Sequence, residues 1–265
     1  MKDILKKFIP PVVFDLVRKI KKSPYGWHGA CTSWSEARRI SDGYAKSDIL
    51  EKVKNSLMLV KEGKAVYERD SVLFDSIQYS WPLLSGLMLG AARNGGNLSV
   101  LDFGGSLGST YYQNRKFLNI IGSVEWSIVE QPNFVACGKE HFESKELKFY
   151  WSVEQCLSEK KPNVLLLSSV LQYIEEPYAL LDYLIRFGFD VIIIDRTQFS
   201  TSDIESITIQ RVPPSIYEAS YPCRILDIGK IKSRFIGYSL LEEFDGADIA
   251  SASSYCFKGM IYVKN

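Results

Sequence analysis

Leu98-Ser-Val-Leu-Asp102-Phe-Gly104-Gly105-Ser106-Leu107-Gly108-Ser109 is the stretch that decides how this chain is read. A short apolar run predicts a buried strand, a glycine-rich turn follows, and a helical pattern starts near Tyr111. Glycine lets a backbone turn tightly and approach a ligand with no Cβ in the way. In open α/β sheets that position, the carboxyl end of a strand, is where ligands bind. A dinucleotide fingerprint needs G-x-G-x-x-G facing a pyrophosphate. Here the spacing is G-G-x-x-G, and Asp102 stands two residues before the first glycine. An acid there disfavours a pyrophosphate and suits a cationic part of a ligand.

Beyond Asn97, short apolar runs alternate with helix-like stretches: Leu98–Phe103, Trp126–Val129, Leu147–Tyr150, Val164–Leu167 and Val191–Ile194. Continuous apolar strands separated by helices predict a parallel sheet covered on both faces. Tyr238–Phe244 and Tyr255–Val263 predict a final antiparallel ribbon. Before Asn97 the pattern is mostly helical: Ser35 to Lys61, closed by Gly63, and Tyr79 to Ala92, stopped at Asn94-Gly-Gly-Asn97. Pro24 to Gly29 reads as a turn, and Arg211 to Pro222 as an irregular insertion that closes an acceptor pocket.

Composition narrows the class. The chain has 265 residues, 46% hydrophobic and 24% charged, with a formal net charge of +1. These values fit a globular protein and exclude collagen-like and disordered classes. No global positive field draws in nucleic acid. Five cysteines, none in a CxxC spacing, and two distant histidines argue for free thiols in a reducing, cytoplasmic compartment and for no metal site. No run of about 20 apolar residues predicts a membrane span. Residues 1–22 carry seven basic residues against Asp3 and Asp15, with apolar side chains at helical spacing interrupted by Pro10-Pro11. Such a basic amphipathic helix suits either a peripheral contact with an anionic membrane or packing on the protein's own helices.

Further signals lie at later strand ends. Glu130 ends the second strand, 26 residues after Gly104, and is placed to accept two ribose hydroxyls; Gln131 follows it. Phe134 and Trp151 are candidates to pack on an adenine. Ser168-Ser169-Val170 ends the fourth strand. Asp195-Arg196 ends the fifth, either facing a substrate or pairing with each other. Glu68, Arg69 and Asp70, with Tyr217 and Tyr221, are expected over the same place.

These elements together resemble known proteins. The D-x-G-x-x-x-G spacing of Asp102, Gly104 and Gly108 resembles motif I of class I S-adenosylmethionine-dependent methyltransferases, although Ser106 stands where the commoner form has its middle glycine. Tyr67-Glu-Arg-Asp-Ser-Val-Leu-Phe74, Tyr79-Ser-Trp-Pro82, Val129-Glu-Gln-Pro132, Leu167-Ser-Ser-Val-Leu-Gln-Tyr173, Asp195-Arg-Thr197, Arg211-Val-Pro-Pro214, Ala219-Ser-Tyr-Pro222 and Phe257-Lys-Gly259 resemble a family of bacterial methyltransferases often met among surface-polysaccharide genes. The resemblance runs from about Tyr25 to Val263.

It implies a Rossmann-like sheet at 95–265, a helical lid at 23–94 and a separate helix at 1–22. S-adenosylmethionine is the implied cofactor, on Asp102, Gly104, Gly105, Ser106, Gly108, Glu130, Gln131, Ser169 and Val170. The implied acceptor is a sugar hydroxyl of a surface glycan, its precursor, or another small polar group. By their position at a strand end and in the segments that should cover it, Asp195, Arg196, Tyr217, Tyr221, Glu68, Arg69 and Asp70 are either the catalytic set or an ion-pair network between lid and core. Gln172 and Tyr173 stand where small-molecule methyltransferases often carry a histidine or acid. Two other readings remain: a non-catalytic partner of a membrane-associated assembly that keeps the cofactor fold, and a dinucleotide or nucleotide-sugar enzyme.

Overall fold

Strand order explains most of the architecture. The computed structural model describes residues 25–43, 47–202, 204–248, 250 and 252–265; the basic segment 1–22 lies outside them. Seven strands form the central sheet: β4 (Asn97–Phe103), β5 (Ser123–Val129), β6 (Leu147–Tyr150), β7 (Val164–Ser168), β8 (Val191–Ser200), β11 (Tyr238–Asp245) and β12 (Tyr255–Lys264). Their order is β11-β12-β8-β7-β4-β5-β6. The pairs β4–β5, β5–β6, β4–β7 and β7–β8 are parallel, and β12 runs antiparallel between β8 and β11. From β4 the chain moves outward to β6, then returns to β7 on the other side of β4. A topological switch point therefore lies between β4 and β7. This is the mostly parallel, doubly wound sheet that the sequence pattern predicts.

The inner strands β4, β7 and β8 are mostly apolar because both faces are covered, whereas the edge strand β11 is largely exposed. Val164, Leu166, Val191 and Ile193 point to one face, where they meet α2 (Ser47–Lys61), α3 (Trp81–Arg93), α4 (Ser109–Leu118) and α5 (Pro132–His141). Leu165, Leu167, Ile192 and Ile194 point to the other, against α6 (Val153–Glu159), α7 (Pro177–Ile185) and α8 (Ile228–Lys232). This alternation is the two-residue period of a strand.

Several expectations change. The helix read over Ser35–Lys61 is two elements, α1 (Trp34–Arg39) and α2, with Gly43 between them in the left-handed region (φ +84°). The turn read at Pro24–Gly29 is largely strand β1 (Gly26–Cys31), and the irregular insertion contains β9 (Ser206–Val212) and β10 (Ala219–Ile225). These form a separate antiparallel sheet in the order β1-β9-β10. Gly29 (φ +73°) sits where the β1–β9 register shifts, so a glycine that reads as a turn serves a bulge. Pro222 is tolerated because β10 is an edge. Tyr67–Phe74 is a hairpin of β2 (Tyr67–Arg69) and β3 (Val72–Phe74). The region 23–94 is thus mixed rather than helical, since tertiary pairing overrides local propensity.

Helix α3 belongs to the sheet layer. A Cβ on Gly86 would stand 2.7 Å from Ile193 Cδ1, one on Gly90 would collide with Val164, and Asn163 donates to the Gly90 carbonyl at 2.8 Å. Among the described residues no helix is long and apolar enough to cross a membrane, and all five cysteines are free. Gly90→Val should overpack this interface and cost about 1–3 kcal/mol. A urea midpoint unchanged by that substitution would contradict the close packing of α3 on β7.

Candidate functional site

A cavity of about 1110 Å³ opens over the carboxyl ends of β4, β5 and β7 and extends beneath the β1-β9-β10 sheet and the β2–β3 hairpin. It sits at the switch point, where the diverging connections leave a crevice. Its floor is the loop after β4. Gly104 (φ +73°) donates its amide to the Val129 carbonyl at 2.9 Å, and a Cβ there would stand 2.5 Å from Val170 Cγ2. A Cβ on Gly105 would collide with the carboxyl of Asp102. Asp102 is buried beneath the loop and accepts from Trp126 Nε1 at 2.9 Å. Asp102, Gly104, Gly105 and Ser106 line the cavity. Gly108 does not. It caps α4 at φ +105°, with a would-be Cβ 3.2 Å from Leu147, so its role is conformational.

Glu130 and Gln131 line the same side. The Glu130 carboxylate accepts from the Gln131 amide at 2.6 Å, and burial raises its pKa. Trp151 lines this end too, half exposed, with Lys139 Nζ 3.8 Å from its ring centroid. Phe134, the other adenine candidate, is fully buried in the core beneath α5 and does not line the cavity. Ser169 and Val170 complete this half.

The other half gathers most of the expected catalytic set. Glu68, Arg69, Asp70, Arg196, Tyr217 and Tyr221 all line the cavity. Arg196 joins two covering loops: Nη2 meets Asp70 at 2.7 Å and Nε meets Asp248 at 2.7 Å. The two tyrosine hydroxyls lie 3.3 Å apart, and Tyr221 stands edge-on to Tyr173, whose hydroxyl donates to Gln210 at 2.7 Å. Glu68 is buried and accepts from the Ser109 hydroxyl and, at 3.0 Å, from the Ser71 amide.

Asp195 falls outside this arrangement. Its carboxylate accepts from Ser168 at 3.1 Å and Ser80 at 3.4 Å, in a small separate cavity. A bulge explains the split: Ile194 pairs with Met260 and Thr197 with Lys258, leaving Asp195 and Arg196 opposite Gly259 alone. Arg196 (φ +50°) is turned to the main cavity and Asp195 away from it.

Backbone strain is concentrated here. Among the described residues, five non-glycine residues have left-handed backbones: Asp70, Ser71, Ser106, Ser169 and Arg196. All five line this one cavity. Strained conformations persist where surrounding structure over-determines them, and they cluster at ligand sites. Asp248, Trp27 and Gln210 were not among the sequence candidates. Trp27 and Gln210 meet the site through the β1–β9 pairing, and Asp248 through its ion pair, which no local motif announces.

No family model matches the chain, and no curated protein matches it. Among solved structures, the N-terminal domain of EvdMO1, crystallised in the presence of SAH and D-fucose, is 15% identical with a TM-score of 0.48, over 83% of this chain and 100% of that one. An S-adenosylmethionine-dependent methyltransferase from Clostridium acetobutylicum is 9% identical (TM-score 0.44; 68% and 90% covered). CalS10, an amino pentose methyltransferase from Micromonospora echinaspora, is 9% identical (TM-score 0.44; 71% and 92% covered). The fold is a Rossmann-like α/β sheet. That assignment stands on the strand order and the switch point themselves.

Burial pushes the carboxyls of Asp102 and Glu68 up to about 7 and raises those of Glu130 and Asp195. The folded protein therefore holds protons that the unfolded chain releases above about pH 4. Stability contributed by the neutral acids is present at low pH and is lost as pH rises through about 7. Asp102→Asn keeps an acceptor for Trp126 and removes one titrating group. Its denaturant midpoint should fall less between pH 5 and 8 than that of the parent; an equal slope would mean that Asp102 does not titrate there.

Proposed function

We propose that this chain is an S-adenosylmethionine-dependent methyltransferase acting on a small polar acceptor of the sugar-hydroxyl class. The observation that carries the reading is one continuous cavity at the switch point, with a glycine loop over a buried acid at one end and a ring of aromatic and amide side chains at the other. The residues fit the cofactor. Glu130, at the end of β5, is placed to accept the two ribose hydroxyls. Trp151 offers an aromatic face for the adenine. The Gly104–Gly105 backbone permits close approach, and the acidic lining of Asp102, Glu130 and Glu68 suits a cationic rather than a pyrophosphate ligand. When bound, the cofactor supplies an electrophilic methyl group on a sulfonium.

This chain's own residues then hold the acceptor. Tyr217, Tyr221 and Gln210 offer hydrogen bonds, and Trp27 offers a stacking face. The Asp70–Arg196–Asp248 ion pairs draw the hairpin and the loop after β11 over the cavity and limit water. Positioning of the acceptor in line with the methyl group is the main catalytic contribution expected of such a site. The dinucleotide reading loses support because a carboxylate, not an exposed helix start, lies under the loop.

Calorimetric titration with S-adenosylhomocysteine tests the reading. The parent should bind with one site per chain, and Glu130→Ala should weaken binding by about 1.5–3 kcal/mol, roughly 10- to 150-fold. A loss below twofold would move the ribose elsewhere. We also assign the basic segment 1–22 to an anionic bilayer surface. The full chain should co-sediment with anionic vesicles at low salt and not at high salt, and a chain starting at Ser23 should not bind; equal behaviour of the two would reject that assignment.

A further inference from the structure

The β2–β3 hairpin spans the two halves of the cavity. Through Glu68 it reaches Ser109, the first residue of α4 after the glycine loop; through Asp70 it reaches Arg196 on the acceptor side. Glu68 therefore stands at the junction between the cofactor end and the acceptor end.

The other carboxyl and phenol groups described above are engaged. Asp70 and Asp248 are held by Arg196. Asp195 points into the separate small cavity. Tyr217 and Tyr221 pair with each other, and Tyr173 with Gln210. Asp102 lies under the loop on Trp126, and Glu130 faces the ribose end on the Gln131 amide. Among the described residues, Glu68 has neutral donors only, a hydroxyl and an amide, and makes no ion pair. A carboxylate so held keeps lone pairs for a proton.

Resting on the methyltransferase reading, we propose that Glu68 is the proton acceptor of the transfer. The acceptor's hydroxyl oxygen forms the new C–O bond with the methyl carbon as the C–S bond breaks, its electron pair staying on sulfur. The hydroxyl proton passes to a Glu68 carboxylate oxygen, so the acceptor is methylated at an X–H group rather than at a lone pair without a proton. Independently of that geometry, burial brings the Glu68 carboxyl to about 7, in the range where a general base works best at neutral pH. Asp70 and Arg196 are the charged groups that face it, with opposite effects on its charge.

Sinefungin, in which an amine-bearing carbon replaces the methylated sulfur, tests this without any knowledge of the acceptor. Its ammonium occupies the place of the methyl group, so a carboxylate there should favour it over S-adenosylhomocysteine by about tenfold. Calorimetry on the full chain should give that preference in the parent. Glu68→Gln should bring the two affinities within about twofold, the ammonium of sinefungin losing more than the uncharged sulfur of S-adenosylhomocysteine. In the parent alone, which needs no variant to fold, the preference should grow from pH 6 to pH 8 as Glu68 ionises. Binding of both compounds with a preference unmoved by Glu68→Gln, or flat across that pH range, overturns this proposal and leaves the cofactor reading standing. Binding of neither compound overturns both.

Discussion

The loop after β4 has no room for a side chain at Gly104 or Gly105, and much of the site follows from that. A Cβ on Gly105 would enter the Asp102 carboxyl, and one on Gly104 would enter Val170. Asp102 is fixed from below by the Trp126 indole on β5, and Val170 comes from the segment after β7. The glycine loop thus ties together the three strand ends that meet at the switch point. Its backbone forms the floor of the cavity at Gly104 and Gly105, where no side chain projects. A side chain added at Gly105 would meet Asp102 before any ligand.

Around that floor and within it, several residues have unfavourable backbone conformations. Left-handed backbones at Asp70, Ser71, Ser106, Ser169 and Arg196 cost on the order of 1 kcal/mol or more each. Specific contacts offset the strain: Arg196 pairs with Asp70 and Asp248, Gln172 donates to Ser169 Oγ and to the Arg196 carbonyl at 3.1 Å each, and Ser71 donates to Glu68. A fold with no use for this cavity would gain stability by relaxing these positions. Their confinement to one concave surface is the physical sign of a binding site.

Much of this was legible in the residues. The apolar runs at β4, β7 and β12 and the Gly104–Gly108 turn carry their own local signals, two-sided burial and glycine spacing, and the antiparallel ribbon was readable from Tyr238 and Tyr255 onward. The place of Glu130 on the cavity was readable because a strand end precedes it. What local pattern could not supply was pairing at long range. Gly26 and His28 read as part of a turn because their partners, Arg211 and Ile209, lie some 180 residues away. Asp195 and Arg196 read as one unit, and the bulge against Gly259 lets Arg196 reach the main cavity while Asp195 lines only the small one. Phe134 and Trp151 were equivalent candidates until packing put one in the core and the other at the rim. Gly108, inside the motif, proved to serve helix geometry rather than the cavity lining.

The most direct test of the account is a crystal structure of the full chain with S-adenosylhomocysteine. The account predicts one molecule in the switch-point cavity, its ribose hydroxyls on Glu130, its adenine against Trp151, and its sulfur between the Gly104–Gly105 backbone and the Glu68 carboxylate. A ligand bound outside this cavity, or bound within it with the ribose away from Glu130, would contradict it.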